Sequence, residues 1–411
     1  MNFLLATFGT AGDVQPMLAL GRVLVARGHR VRLCAPPSFR AQAETRGLVF
    51  FPFAGDIDRF MAHNAELMGH PLRGAPRALR MLSEIYADHF DVVDAASEDV
   101  NAIVASGLCL SGPSVAARRG IPCWQVAHMP TVLPSSDHPV YNSPWQNLPR
   151  WLNRLLWTVH FVGQNALTRK QTNAYRTAHG LRPVKNVWKA LYENAVIAID
   201  PELAAVPADV SSPYVQVGYW QDDEILPLPA EVERFLEAGE KPVYAGFGSM
   251  SDPDPARTLA VIGEATARAG KRVVVGRGWA GAAWTSDARV LVVDRIDHRA
   301  LFPRLAAVLH HGGAGTTYTA ARAGVPQLVV PHMVDQYFWG ARVARLGLGP
   351  APIDKGRLSV ERLAGAIRSA TTEAPFAEAA TRMGETLRRN HGLTTFVERM
   401  EAELNGLRGS A

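Results

Sequence analysis

The chain has 411 residues, of which 47% are hydrophobic and 20% charged. That balance excludes a disordered chain and a coiled coil, and no apolar run reaches the roughly 18 residues needed to span a bilayer. The 43 basic and 38 acidic residues leave a net charge of +5, spread without any Lys/Arg block, which speaks against nucleic acid as a partner.

At roughly 150 residues per domain the length predicts two or three domains. Cys34, Cys109 and Cys123 are odd in number and form no C-x-x-C pair. They read as small buried residues of a reducing, cytoplasmic setting, not as a disulfide framework or a zinc site. The N-terminal Met1–Thr7 is apolar, but it is short and lacks a basic start. It reads as a strand and not as a signal peptide.

Strand-like runs then alternate with helical patterns. Asn2–Thr7 is continuously apolar, as in a strand buried on both faces. It ends at the glycine loop Phe8-Gly9-Thr10-Ala11-Gly12-Asp13. Pro16 is expected to open a helix and Gly28 to close it, before a strand at Val31–Ala35. A strand, loop, helix and strand within about 35 residues implies a parallel sheet with right-handed crossovers. Ala102–Ser106, Cys123–Ala127 and Asn194–Ile199 read as further strands. Val206–Pro213 is rich in turn formers and reads as an interdomain linker. The alternation restarts at Pro242–Phe247 and continues through strands at Arg272–Val275, Val290–Val293, Ala307–His310 and Gln327–Val330. Helices are expected at Arg257–Ala269 and Gly315–Ala323, and Val360–Leu407 reads as mostly helical. The fold class is therefore α/β, with two doubly wound domains facing a central cleft.

The most specific segment is His310-His311-Gly312-Gly313-Ala314-Gly315-Thr316-Thr317. It follows a strand and opens a helix. Its glycines let main-chain amides approach an anion, and the helix terminus adds partial positive charge. His311 adds a hydrogen bond and, if protonated, a charge. That is a diphosphate seat that requires no metal. Asp335-Gln336 follows about twenty residues later at a strand's carboxyl end, where an acid beside an amide suits paired sugar hydroxyls. An N-cap role for Asp335 is the competing reading. Gly248-Ser249 closes another strand and suits a phosphate. Gly276-Arg277-Gly278-Trp279-Ala280-Gly281 matches G-x-G-x-x-G, yet the next strand follows too soon for a dinucleotide crossover helix. Trp279 instead suits the wall of a nucleoside pocket. Asp252-Pro253-Asp254 reads as a solvated loop, so no metal ligands are assigned.

Asp13 supports two local readings, a general base aimed into the cleft or a helix cap. His128 either lines an acceptor pocket or belongs to the core. The stretch from Trp145 to Gly163 bears tryptophans and arginines. It can pack the core, wall a lipophilic acceptor channel or meet a membrane surface.

Together, Gly9–Pro16, Val217-Gly218-Tyr219-Trp220, the His310–Thr317 loop and Asp335-Gln336-Tyr337-Phe338-Trp339-Gly340 resemble the GT-B glycosyltransferases. The match is to the sterol and antibiotic-aglycone branch of the family-1 (UDP-glycosyltransferase-type) enzymes. The resemblance implies an acceptor domain at 1–212, a nucleotide-sugar domain at 213–390 and a final helix at 391–411 crossing back to the first. It implies inverting transfer of a hexose from a nucleotide-sugar co-substrate, UDP-glucose ahead of a dTDP-sugar, to the hydroxyl of a lipophilic natural product such as a sterol, polyketide or flavonoid, with no other cofactor. Asp13 would be the base. His311, Gly313, Ala314, Gly315 and Thr316 would hold the diphosphate, with Gly248 and Ser249 beside it. Ile296 and Trp279 would frame the nucleobase, and Asp335 and Gln336 the sugar. Gly12, His128 and Trp145 would meet the acceptor. The sequence departs from many relatives in lacking an arginine in the first glycine loop and a base-stacking tryptophan near Ile296, which leaves uridine versus thymidine open. An epimerase or hydrolase on the same fold, and a non-catalytic partner protein, are the alternatives.

Overall fold

The computed structural model describes residues 1–53, 86, 88–222, 224–248, 250, 252, 254–280, 286–294 and 296–409. Two all-parallel sheets form its core. The first has seven strands in the order β3-β2-β1-β4-β5-β6-β7. These are β1 Asn2–Phe8, β2 Arg30–Ala35, β3 Val49–Pro52, β4 Ala102–Gly107, β5 Cys123–Ala127, β6 Ala195–Ala198 and β7 Tyr214–Val217. The second has five strands in the order β10-β9-β8-β11-β12. These are β8 Val243–Gly246, β9 Val273–Gly276, β10 Val290–Val293, β11 Ala307–His310 and β12 Gln327–Val329.

The strand sequences show why both sheets are parallel and sandwiched. Along β1, Phe3 and Leu5 pack into one core while Leu4, Ala6 and Phe8 pack into another. Helices therefore cover both faces, which an alternating polar strand would not allow. In β8, Val243 and Ala245 face one layer and Tyr244 the other. Cys34, Cys109 and Cys123 are free thiols.

Two sequence expectations move. The first helix runs Ala11–Ala26 and passes through Pro16, where Pro16 had been expected to open it. The Thr10 hydroxyl accepts from the Gly12 N–H at 3.4 Å, and the Thr10 N–H donates to the Asp13 carboxylate at 3.1 Å. This reciprocal cap starts the helix earlier, and the proline then removes a single internal hydrogen bond. The stretch 206–213 is no interdomain linker. It connects β6 to β7, which pair in parallel from Ala195 with Tyr214 to Ala198 with Val217. Residues 214–217, placed with the second domain by a division after 212, thus belong to the first sheet.

The helix Gly392–Gly409 returns to the first domain. Leu393, Phe396, Val397, Met400 and Leu404 enter the core formed by Phe3, Leu18, Leu20 and Trp220. Glu401 accepts from Arg27 at 2.8 Å and meets His29 at 2.7 Å. Both connections between domains converge on buried Asp200. Its carboxylate accepts from the Tyr219 N–H at 2.8 Å and from the Asn390 amide at 2.6 Å.

Candidate active site

Each sheet changes winding direction once, β1 against β4 in the first and β8 against β11 in the second. The carboxyl ends of strands at such a switch leave a crevice that receives ligands. Asp13 occupies the first crevice and His311 the second.

Asp13 is the third residue of its helix, so the structure makes it both a capping-box member and a cleft residue. Its carboxylate lies against the end of β4. A Cβ on Gly107 would stand 3.0 Å from Asp13 Oδ1, and Gly107 has φ +61°. Only glycine gives that close approach in that conformation. Burial pushes the Asp13 carboxyl up to about 6, against the lowering pull of the Thr10 N–H. Gly12 is exposed on the same turn.

Across the cleft, the helix Ala314–Ala323 opens with Gly313 at its N-cap and no side chain capping it. Its first N–H groups are thus left for a ligand. Ala314, Gly315 and Thr316 are half-buried at this mouth. The His311 ring lies over the Gly248 turn, where a Cβ would meet its Cε1 at 3.3 Å. His311 Nδ1 is buried without a hydrogen-bond partner among the described residues. Burial, with His310, His332 and His298 nearby, lowers His311 to about 3. It therefore offers a neutral N–H, where the sequence left a charge open.

The sequence reading missed what shapes this loop. His310 Nδ1 accepts from the Gly312 N–H at 3.0 Å, and its Nε2 meets the Gln327 Oε1, also at 3.0 Å. The accepting Nδ1 fixes the Nε2–H tautomer. Gly312 has φ +93°, and a Cβ there would press on Val329 and the Gln336 carbonyl. The doubled histidine in the motif was the available signal. In the same domain, Tyr244 shares a part-buried 3.0 Å hydrogen bond with His298.

Asp335 precedes the helix Gln336–Arg345 without capping it through its side chain. Its Oδ2 accepts from the Trp339 indole at 3.1 Å. Burial, and then the charge of Asp13, raise Asp335 to about 7. Val334 just before it has φ +55°, a strained conformation for a β-branched residue. Gln336 departs from expectation. Its oxygen accepts from the His332 and Met333 N–H groups at 2.8 and 3.1 Å, and its amide reaches Met250 Sδ. It thus holds the loop that carries Asp335.

His128 is buried against Tyr219 and Trp220, and its Nδ1–H donates to the Ala198 carbonyl 3.4 Å away. Trp145 is 66% exposed. Ile296 is half-buried in the second domain's core. Ser249 and the Trp279 side chain lie outside the described residues. The Asp252–Asp254 pair is no solvated loop. The Asp252 side chain is 4% exposed and pairs with Lys355 at 3.3 Å, while Asp254 caps the Pro255–Arg268 helix. Among the described residues no group of three or more His, Cys, Asp or Glu is arranged to hold a metal ion.

Comparison with known proteins gives the family. Residues 3–133 match the glycosyltransferase family 28 N-terminal domain, and residues 285–402 the erythromycin biosynthesis protein CIII-like C-terminal domain. The chain is 35% identical to vancomycin aglycone glucosyltransferase of Amycolatopsis orientalis over 94% of each chain. It is 33% identical to sterol 3-beta-glucosyltransferase UGT80B1 of Arabidopsis thaliana, over 88% of this chain and 61% of that protein. The crystal structure of CalG4, the calicheamicin glycosyltransferase, shares the fold with TM-score 0.72 at 19% identity, over 98% of each chain. The chain belongs to the sugar-nucleotide-dependent glycosyltransferases of GT-B fold, the family that contains its antibiotic-aglycone and sterol glycosyltransferase relatives.

Proposed function

We propose that the enzyme transfers a hexose, with inversion, from a UDP- or dTDP-sugar to a hydroxyl of a lipophilic natural product. The observation that carries this reading is that Asp13 lies near enough to Asp335 of the other domain for its charge to raise that carboxyl. The helix that starts at Ala314 in that second domain has no side chain capping it, which supports an anion seat there. Asp13 accepts the acceptor's hydroxyl proton as the new C–O bond forms at the anomeric carbon. The C–O bond to the diphosphate breaks in the same step, and its electron pair leaves with the nucleotide. The main-chain N–H groups of the Ala314 turn and neutral His311 take up the charge that develops there. Asp335 orients the hexose, and no divalent ion is required.

General-base catalysis contributes about 10²–10⁴-fold. Asp13→Asn therefore lowers turnover by that range while nucleoside diphosphate affinity stays within a few-fold of wild type. Mass spectrometry of reactions with UDP- and dTDP-sugars and lipophilic alcohols or phenols detects the glycosylated product. Donor hydrolysis without such a product, or full activity of Asp13→Asn, would defeat the assignment. So would loss of activity in EDTA that added Mg²⁺ restores.

A further inference from the structure

The helix Arg150–Ala178 is the longest among the described residues, with 29 residues. Asn153, Trp157, Thr168 and Thr172 form its buried side. Its outward side carries Trp151, Leu155, Val159 and Val162, exposed to 65%, 50%, 60% and 68%. At about 100° per residue these four fall within an arc of roughly 80°. They form one apolar stripe, not scattered surface residues, and a stripe of this kind marks an interaction site. Trp145, equally exposed, lies just before the helix.

The charges on the helix itself are of one sign. The helix contains no Asp or Glu, but holds Arg150, Arg154, Arg169, Lys170 and Arg176. Arg150 is paired with Asp137. Arg154, Arg169 and Lys170 are exposed and have no ion-pair partner among the described residues. Arg169 and Lys170, with Asn165 and Asn173, line a shallow hollow one turn beyond the stripe. An apolar face with a tryptophan at its start and basic side chains along its edges matches a helix that lies in a lipid interface. Single-sign basic charge selects an anionic surface. Among the described residues no helix is long and apolar enough to cross a membrane.

We propose that this face of the Arg150–Ala178 helix seats the enzyme on an anionic lipid surface. The four stripe residues are none of those assigned to the donor sugar, so the seat is independent of which sugar is transferred.

The test is co-sedimentation of the full chain with large vesicles of phosphatidylcholine alone and with roughly one-third phosphatidylglycerol. The wild type binds the anionic vesicles and binds the neutral ones at least about tenfold more weakly. Leu155→Ser with Val162→Ser, all on the surface, weakens anionic-vesicle binding by about tenfold or more. Arg154→Gln with Lys170→Gln does so by a similar factor, and the loss grows smaller as salt rises. Thermal melts unchanged from wild type show that the variants fold. Failure of the wild type to sediment with anionic vesicles overturns the proposal. A dimer seen by light scattering that Leu155→Ser with Val162→Ser dissolves also overturns it, because the stripe is then covered by a second copy.

Discussion

Asp13 and Asp335 belong to different sheets, yet the charge of one raises the proton affinity of the other: Asp13 helps to hold Asp335 at about 7 while itself standing at about 6. The two carboxyls lose their protons in order. Asp13 ionises first, and its negative charge then opposes the ionisation of Asp335. In the window between them the cleft holds one carboxylate and one carboxylic acid, which suits one base beside one hydrogen-bond donor to a sugar.

An acid limb in kcat/KM follows. Asp13 must be ionised to accept a proton, so the rate rises with pH through about 6 and levels above it. Asp335→Asn leaves that limb in place, because Asp335 is still protonated when Asp13 titrates. Asp13→Asn removes one cause of the Asp335 shift and brings that carboxyl below about 7. Steady-state pH profiles and carboxyl NMR titration check the two halves separately. A limb that moves in Asp335→Asn would reverse the assigned order.

The same shifts fix a sign for stability. Both carboxyls stand above the ordinary value of 3.8 in the folded protein. The native state therefore binds protons more tightly than the unfolded chain, and stability falls as pH rises from about 4 to about 7. Asp13→Asn with Asp335→Asn removes this loss. The double variant melts above wild type near pH 8, and the difference disappears near pH 4.

His311→Ala weakens UDP or dTDP binding by about tenfold, the size of one neutral hydrogen bond lost in a half-buried site. Titration calorimetry measures it. A loss of a thousandfold or more would show instead that the ring binds the nucleotide as a cation.

His310→Leu acts without touching the nucleotide. It leaves the Gly312 N–H buried without its acceptor, at a cost of about 1–3 kcal/mol. The loop then loses its shape, so urea unfolding and donor affinity weaken together. Gln327→Leu, which spares the Gly312 bond, has the smaller effect on affinity. Unaltered donor binding in His310→Leu would make the pair a feature of stability alone.

Phe396→Ala lowers the stability of the first domain by about 3–5 kcal/mol, because the ring is fully buried against Trp220 with centroids 4.6 Å apart. Urea unfolding followed by tryptophan fluorescence reports it directly.

Much of the fold was legible in the sequence because a strand buried on both faces must be apolar throughout. Asn2–Thr7 and Ala307–His310 could be read in isolation for that reason. The glycine loop was legible because few other structures call for so many small residues between a strand and a helix. What could not be read depended on partners distant in sequence. Nothing near Asp252 announces Lys355, and nothing near Asp13 announces Gly107 or Asp335. Gln336 looked like a ligand for sugar hydroxyls, yet two N–H groups of its own loop take its oxygen. The stretch 206–213 has the composition of a linker, and only the pairing of β7 with β6 shows that it stays within one sheet. Pro16 failed as a helix start because the Thr10–Asp13 capping box, with its N-cap six residues earlier, outweighs the one bond it removes.

The final helix packs with residues of the first strand and helix, so these elements rest on the same half of the molecule. The other half is topologically an insertion, entered after Gly218 and left before Gly392, and a Cβ on Gly392 would overlap the Gly218 carbonyl. Exchanging sugar specificity between relatives by recombination therefore takes two crossovers placed at this glycine pair. A single splice joins a foreign terminal helix to a surface that did not evolve with it.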